Sequence, residues 1–304
     1  MQEDFKKIID EKRDLGKFDV VVGNPPYQAP QDTEGKRGGG TSLWDKFIEK
    51  ALDELLKKDG YLCYVHPARW RKPEDELWYK ITQNQIFYLE IHNADDGVDI
   101  FGAGTRYDWY VLQKKPYSEP TKIIDEKQDE HNVDLSQWPW LPNYAFEEIK
   151  KIITKKNKDD NIIFSYSDYE TRKDWISEIQ NDEFQYPCIH SSPKLAEIRF
   201  YYSKTNKNGH FGIPKVIFGD ANYLVPIVDI EGKYGMTQHA MAIPIQTQEE
   251  ATGVASVIGS QTFRSSVLLA CRWSNYQIDW RMFKYFKKDF WKEFLDDIEE
   301  EKKE

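Results

Sequence analysis

One run constrains this chain more than any other: Phe18-Asp19-Val20-Val21-Val22-Gly23, β-rich and nearly continuously apolar, stopped at once by Asn24-Pro25-Pro26-Tyr27. Such a run reads as a parallel strand buried on both faces of a sheet. Two prolines fix the backbone beyond it, so the carbonyls and flanking side chains of the tetrad are held in place. In open α/β sheets the carboxyl ends of strands are where ligands sit.

The surrounding pattern is consistent with that setting. Residues 2–14 read as a short polar helix, and the stretch from Gln28 to Thr41, with Gly35, Gly38, Gly39, Gly40 and the pair Lys36-Arg37, reads as a loop. Apolar residues Leu43, Phe47, Ala51, Leu52, Leu55 and Leu56 recur at helical spacing, and Asp59-Gly60 supplies a stop signal. Strands are expected at Tyr61–Val65, ended by His66-Pro67, at Phe87–Ile91 and at Trp109–Gln113, with a helix over 74–83 and a turn at Asp95–Asp99. Alternation of this kind predicts an α/β, partial Rossmann-like sheet with right-handed crossovers. Short β-like runs at 215–218, 224–229 and 241–245 and a helix-compatible stretch at 251–269 predict a second, mixed α+β part. The resulting division is 1–118, a connector at 119–185 with a helix at 146–156, a second domain at 186–290, and a charged tail at 291–304.

Composition narrows the function classes. The 304 residues hold 42 Lys+Arg against 52 Asp+Glu, a net charge of −10, yet residues 185–288 alone hold 12 Lys+Arg against 7 Asp+Glu. Nucleic-acid binding depends on where charge sits, so the acidic total does not exclude it. No stretch approaches the roughly 18–20 uncharged apolar residues of a membrane span, and the acidic start Met1-Gln2-Glu3-Asp4 is unlike a secretory signal. A cytoplasmic protein is expected. Cys63, Cys188 and Cys271 are odd in number and widely spaced, which argues against disulfides and against a metal site. The six histidines have no nucleophile at motif spacing.

The chemistry of the tetrad follows from what an exocyclic amine needs in order to attack a methyl sulfonium. Its lone pair is delocalised into the ring and must be localised on nitrogen. If the amide oxygen of Asn24 and the main-chain oxygen of Pro25 each accept one N–H, orientation and electrostatics do this without a strong base. Tyr27 then stacks on the base, which is worth roughly 1–3 kcal/mol and offsets part of the cost of flipping it.

The segment Phe18 to Gln28 resembles the catalytic motif of S-adenosylmethionine-dependent N6-adenine DNA methyltransferases of restriction-modification systems. The resemblance extends through Ser42–Lys50, Gly60–Trp70 and Ile100–Thr105 before the strand at Trp109–Gln113. It implies S-adenosylmethionine as cofactor, double-stranded DNA as partner, and Phe101 as a second contact to the flipped base. It also implies Asn24 and Pro26 on the cofactor side, with Asp4 and Phe5 matching the position that holds the cofactor's adenine. Residues 186–290 resemble a target-recognition, DNA-binding domain. Lys36, Arg37, Arg69, Arg71 and Lys284 are candidate phosphate contacts.

The resemblance is incomplete, because no Gly-x-Gly precedes Asn24. The family's cofactor loop is therefore expected from a second polypeptide carrying the missing half-sheet, this chain being one piece of a split or truncated enzyme. Two rivals remain: a non-catalytic DNA-binding specificity subunit or decoy, and a methyltransferase acting on protein glutamine or RNA.

Overall fold

The computed structural model describes residues 17–28, 42–164, 167–191, 197–220, 225–274 and 277–301, so the helix expected at 2–14 lies outside the described residues. The chain forms two compact units, one of residues 1–144 with 273–275 and one of residues 145–272 with 276–304. The division thus falls inside the expected connector. Residues 119–144, assigned to that connector from sequence, instead extend the first sheet.

In the first unit, strands β1 (Phe18–Gly23), β2 (Leu56–Pro67), β3 (Asn84–His92), β4 (Tyr107–Pro116), β5 (Thr121–Ile124) and β6 (Glu130–Val133) form one sheet. Their order is β1-β2-β4-β3-β5-β6. β1 pairs parallel with β2, and β3 parallel with β5, while β4 runs antiparallel to both β2 and β3. The sheet is therefore α/β but mixed. β2 starts at Leu56, ahead of the expected stop; Asp59 adopts φ 63°, and the pairing with β1 slips between Phe18 and Val20 to absorb it.

Three short helices join these strands: α1 (Trp44–Lys50), which continues as a wider turn through Leu55, α2 (Glu76–Thr82) and α3 (Ala94–Phe101). The turn expected at Asp95–Asp99 is part of α3. The reason is local, since the Asn93 side chain accepts from the Asp95 and Asp96 amides at 2.8 and 3.0 Å while Asp96 accepts from the Asn93 amide. That reciprocal cap nucleates a helix from residues that otherwise favour turns. α3 folds back on its own exit loop rather than crossing the sheet. A Cβ on Gly97 would sit 2.1 Å from the Thr105 carbonyl, so only glycine permits this approach.

Alternate residues separate the two faces of the sheet. Leu62, Tyr64 and His66 of β2 and Asp108, Tyr110 and Leu112 of β4 share the buried face. The other face carries Phe18, Val20 and Val22, which are 44, 53 and 72% exposed. This corrects the expectation that β1 is buried on both faces. β1 is the edge strand among the described residues, paired on one side only.

The second unit holds a four-stranded sheet, β12-β8-β9-β7, and a three-stranded sheet, β11-β10-β13. Their ranges are β7 (Ile176–Ser177), β8 (Tyr186–Ser191), β9 (Arg199–Ser203), β10 (Lys215–Gly219), β11 (Ile227–Asp229), β12 (Gly235–Met236) and β13 (Ala240–Pro244). Ile189, Ile217, Met236, Ala240 and Ala242 form one core from both sheets. Helices α4 (Phe146–Ile152), α5 (Gln248–Gly259) and α6 (Leu295–Glu301) complete the unit. The expected charged tail is part of the core: Trp291, Phe294 and Ile298 are buried, and a Cβ on Gly253 of α5 would meet Trp291 at 2.2 Å. Beneath the tail's acidic surface, an apolar side chain every three or four residues carries the packing.

Candidate functional site

The Asn24–Tyr27 tetrad leaves the carboxyl end of β1 as expected. Asn24 is exposed, Pro25 is buried, and Pro26 and Tyr27 are half-buried. The tetrad is tied at its far end: the Leu43 amide, at the start of α1, donates to the Tyr27 carbonyl at 3.2 Å, and Gln28 pairs with Ser42. The loop between them, with Lys36 and Arg37, lies outside the described residues, as do Asp4 and Phe5.

The structure brings Phe101 to Tyr27. Their ring centroids are 6.2 Å apart at 72°, and Phe101 in turn meets Tyr107 edge-on at 4.9 Å. Two segments about 75 residues apart in sequence, one at the end of β1 and one at the end of α3, thereby share an aromatic cluster beside the tetrad. Burial, with Tyr107 and Asp108 adding to it, pushes the Tyr27 hydroxyl up to about 12, so it is neutral at physiological pH.

Where the end of β2 meets the start of β4 lies a polar and aromatic layer that spacing in the sequence did not reveal. Asp108 accepts from the Trp70 indole at 2.6 Å and from the Arg71 guanidinium at 2.7 and 3.0 Å. Arg71 also donates to the carbonyls of Leu141 and Pro142 and to the Asn143 side chain. His66 is wholly buried, stacked on Trp44 of α1 at 5.0 Å and edge-on to Tyr110 at 5.2 Å. The only signal that could have found this layer is the alternation Tyr64-Val65-His66 opposite Asp108-Trp109-Tyr110, visible once the register is known.

Two candidate phosphate contacts are corrected. Arg71 is fully buried and bound on every side, because Asp108 and three oxygens near 141–143 supply what solvent would. Lys284 pairs with Asp159 at 3.0 Å and lies over the Trp280 ring at 5.0 Å. Arg69 stays exposed at the rim of a cavity of about 340 Å³, but five of the nine residues lining that cavity, including Asp45, Glu49 and Glu74, are acidic. That field repels a phosphate. No group of three or more metal-ligating side chains stands together among the described residues.

Residues 1–101 match the family described as Eco57I restriction-modification methylase. The chain is a relative of the methylases of restriction-modification systems. Modification methylase CviBIII of Paramecium bursaria Chlorella virus NC1A is 26% identical over 159 residues, covering 47% of this chain and 41% of that protein. An uncharacterized adenine-specific methylase of Mycoplasma pneumoniae is 39% identical over 89 residues, covering 28% and 20%. The chain thus spans well under half the length of the curated relatives it matches. Among solved structures, the Type IIL restriction-modification enzyme MmeI in complex with DNA has a TM-score of 0.50 over 87% of this chain and 46% of that one, at 9% identity, a likeness of fold. Among the described residues no helix of this methylase relative is long and apolar enough to cross a membrane.

Proposed function

We propose that this chain is the motif-bearing part of a DNA adenine-N6 methyltransferase, with a second unit, 145–272 and 276–304, that reads the DNA target. The observation that carries the reading is the Asn-Pro-Pro-Tyr tetrad at the end of a sheet strand with the rings of Tyr27 and Phe101 brought together beside it. In this reading a flipped adenine lies against Tyr27, with Phe101 as its second aromatic contact. The Asn24 amide oxygen and the Pro25 carbonyl accept its two N6 hydrogens and draw the lone pair onto nitrogen. The Leu43 amide holds the Tyr27 carbonyl, so the tetrad is positioned before the base arrives.

S-adenosylmethionine is the methyl donor in this reading, but the described residues do not fit around it by themselves. Asn24 is exposed, Pro26 is half-buried, and the adjoining face of β1 is open. The reading therefore includes further strands, supplied by a second polypeptide, that pair with β1 and cover Phe18, Val20 and Val22. An exposed apolar edge invites just such pairing.

The test is transfer of labelled methyl from S-adenosylmethionine to unmethylated duplex DNA by the full chain, alone and with the product of a neighbouring gene. Label in adenine N6, abolished by Asn24→Ala, is the expected result. Label in protein or RNA instead, or none under either condition, refutes it.

A further inference from the structure

His92, the last residue of β3, ties three elements together. On the ladder it pairs with Tyr107, the first residue of β4, and the two rings stack at 4.4 Å and 5°. Its Nε2 lies 3.0 Å from Glu90 Oε1, two residues back on the same strand, and its Nδ1 lies 3.2 Å from Asp96 Oδ2 in the first turn of α3. A turn of the imidazole about its Cβ–Cγ bond breaks both contacts at once, so the plane of the ring is fixed. Both carboxylates are held in their turn. The Tyr88 hydroxyl donates to Glu90 Oε2 at 2.7 Å, and the Asn93 amide donates to Asp96 Oδ2 at 3.1 Å in the cap that starts α3.

The nearly parallel stack passes that plane on to Tyr107, a cross-strand pair of the kind that stabilises a sheet. Tyr107 is buried, and burial, with Asp96 and Glu90 adding to it, pushes its hydroxyl up, so the ring stays neutral. It meets Phe101 edge-on at 4.9 Å and 79°, and Phe101 meets Tyr27 at 6.2 Å and 72°. Pairs of this geometry are directional, because the positive edge of one ring seeks the negative face of the other. Phe101 closes α3 and is followed by Gly102 at φ 67°, where the chain leaves the helix. The backbone there leaves the phenyl ring its rotamers, and the neighbouring rings select among them.

We infer that His92 is a positioning residue for Phe101: clamped between Glu90 and Asp96, its imidazole fixes the plane of Tyr107, and Tyr107 holds the Phe101 ring at Tyr27. The inference rests on the adenine-binding reading above, in which Phe101 is the second aromatic contact to the base. His92 itself touches neither base nor methyl donor; it acts through Tyr107 on one side and through the start of α3 on the other. Strand β3 thereby sets the width of the slot that a base enters.

The first test needs no turnover. With ¹³C-labelled phenylalanine and tyrosine rings, NMR of the wild-type chain shows NOEs from Phe101 to Tyr107 and to Tyr27. His92→Ala is expected to lose the Phe101–Tyr27 NOE, and Glu90→Gln, which keeps an oxygen facing Nε2, to retain it. Where His92→Ala also melts α3, Glu90→Ala decides, since it opens one side of the clamp and leaves the Asn93–Asp96 cap whole; the NOE is expected to weaken there. A Phe101–Tyr27 NOE unchanged in His92→Ala, or unchanged in Glu90→Ala, overturns the inference. The second test is methyl transfer to unmethylated duplex DNA with the neighbouring gene product added. His92→Ala is expected to lower kcat about fivefold with DNA affinity unchanged, and Glu90→Gln to stay within about twofold of wild type. The double variant of His92→Ala with Phe101→Ala is expected to be no slower than Phe101→Ala alone, because His92 acts through Phe101. Effects that multiply in the double variant overturn the inference. A wild-type protein that shows the NOE pattern and its loss in His92→Ala but transfers no methyl refutes the enzymatic reading alone.

Discussion

Acidification from pH 7.5 to 5 is expected to cost the second unit about 2 kcal/mol through His210 alone. The imidazole is 2% exposed and packed against Tyr169 at 4.9 Å. Burial lowers its pKa from 6.5 to about 4. The Met236 amide donates to its Nδ1 at 3.2 Å, a bond that only the neutral ring can accept. The sign follows from linkage. A histidine whose folded pKa lies below its unfolded value binds protons preferentially when unfolded, so the stability it permits is fully present above about pH 6.5 and is lost as pH falls toward 4. With those two values the difference between pH 7.5 and 5 is about 2 kcal/mol, before any contribution from carboxylates. Urea unfolding of wild type and His210→Asn at both pH values, with a probe in the second unit, measures it. Equal pH dependence in the two proteins would refute the argument, since the variant has nothing to titrate at that place.

Two other outcomes follow from packing. Arg71→Ala strands the Asp108 carboxylate in the core and is expected to destabilise the first unit by about 3–5 kcal/mol, whereas Arg69→Ala stays within about 0.5 kcal/mol; thermal unfolding of the two distinguishes a buried ion pair from a solvated face. Gly97→Ala pushes α3 off the Thr105 carbonyl and with it Phe101 from Tyr27; methyl transfer is expected to fall about tenfold or more while DNA affinity holds, and unchanged kcat would show that Phe101 has no part in seating the base.

The tetrad and its strand were legible because chemistry and backbone coincide there: an apolar run sets the strand, two prolines end it, and Asn24 and Tyr27 have few other reasons to flank them. The strands around Leu62, Leu89 and Val111 were legible for the same reason, being apolar on the spacing a sheet requires. The role of Arg71 was not. Arg69, Arg71 and Lys72 look alike along the chain, and only the β4 ladder, which sets Asp108 beside His66 at the far end of the strand, decides which of them turns inward. α3 was missed because its stability comes from one reciprocal cap at Asn93 rather than from helix-forming residues within it. His66 was passed over because a histidine before a proline carries no motif, and only the fold shows it wholly buried and stacked on Trp44.

The outward face of β1 has a calorimetric meaning. Phe18, Val20 and Val22 hold water against apolar surface at the end of the sheet that bears the tetrad. Whatever molecule displaces that water binds with a negative heat-capacity change, and it raises the melting temperature of the first unit in proportion to the logarithm of its concentration once the site is saturated. The stability of the first unit is therefore a reading of the occupancy of that face, so thermal shift can detect a molecule that covers it before any reaction is assayed.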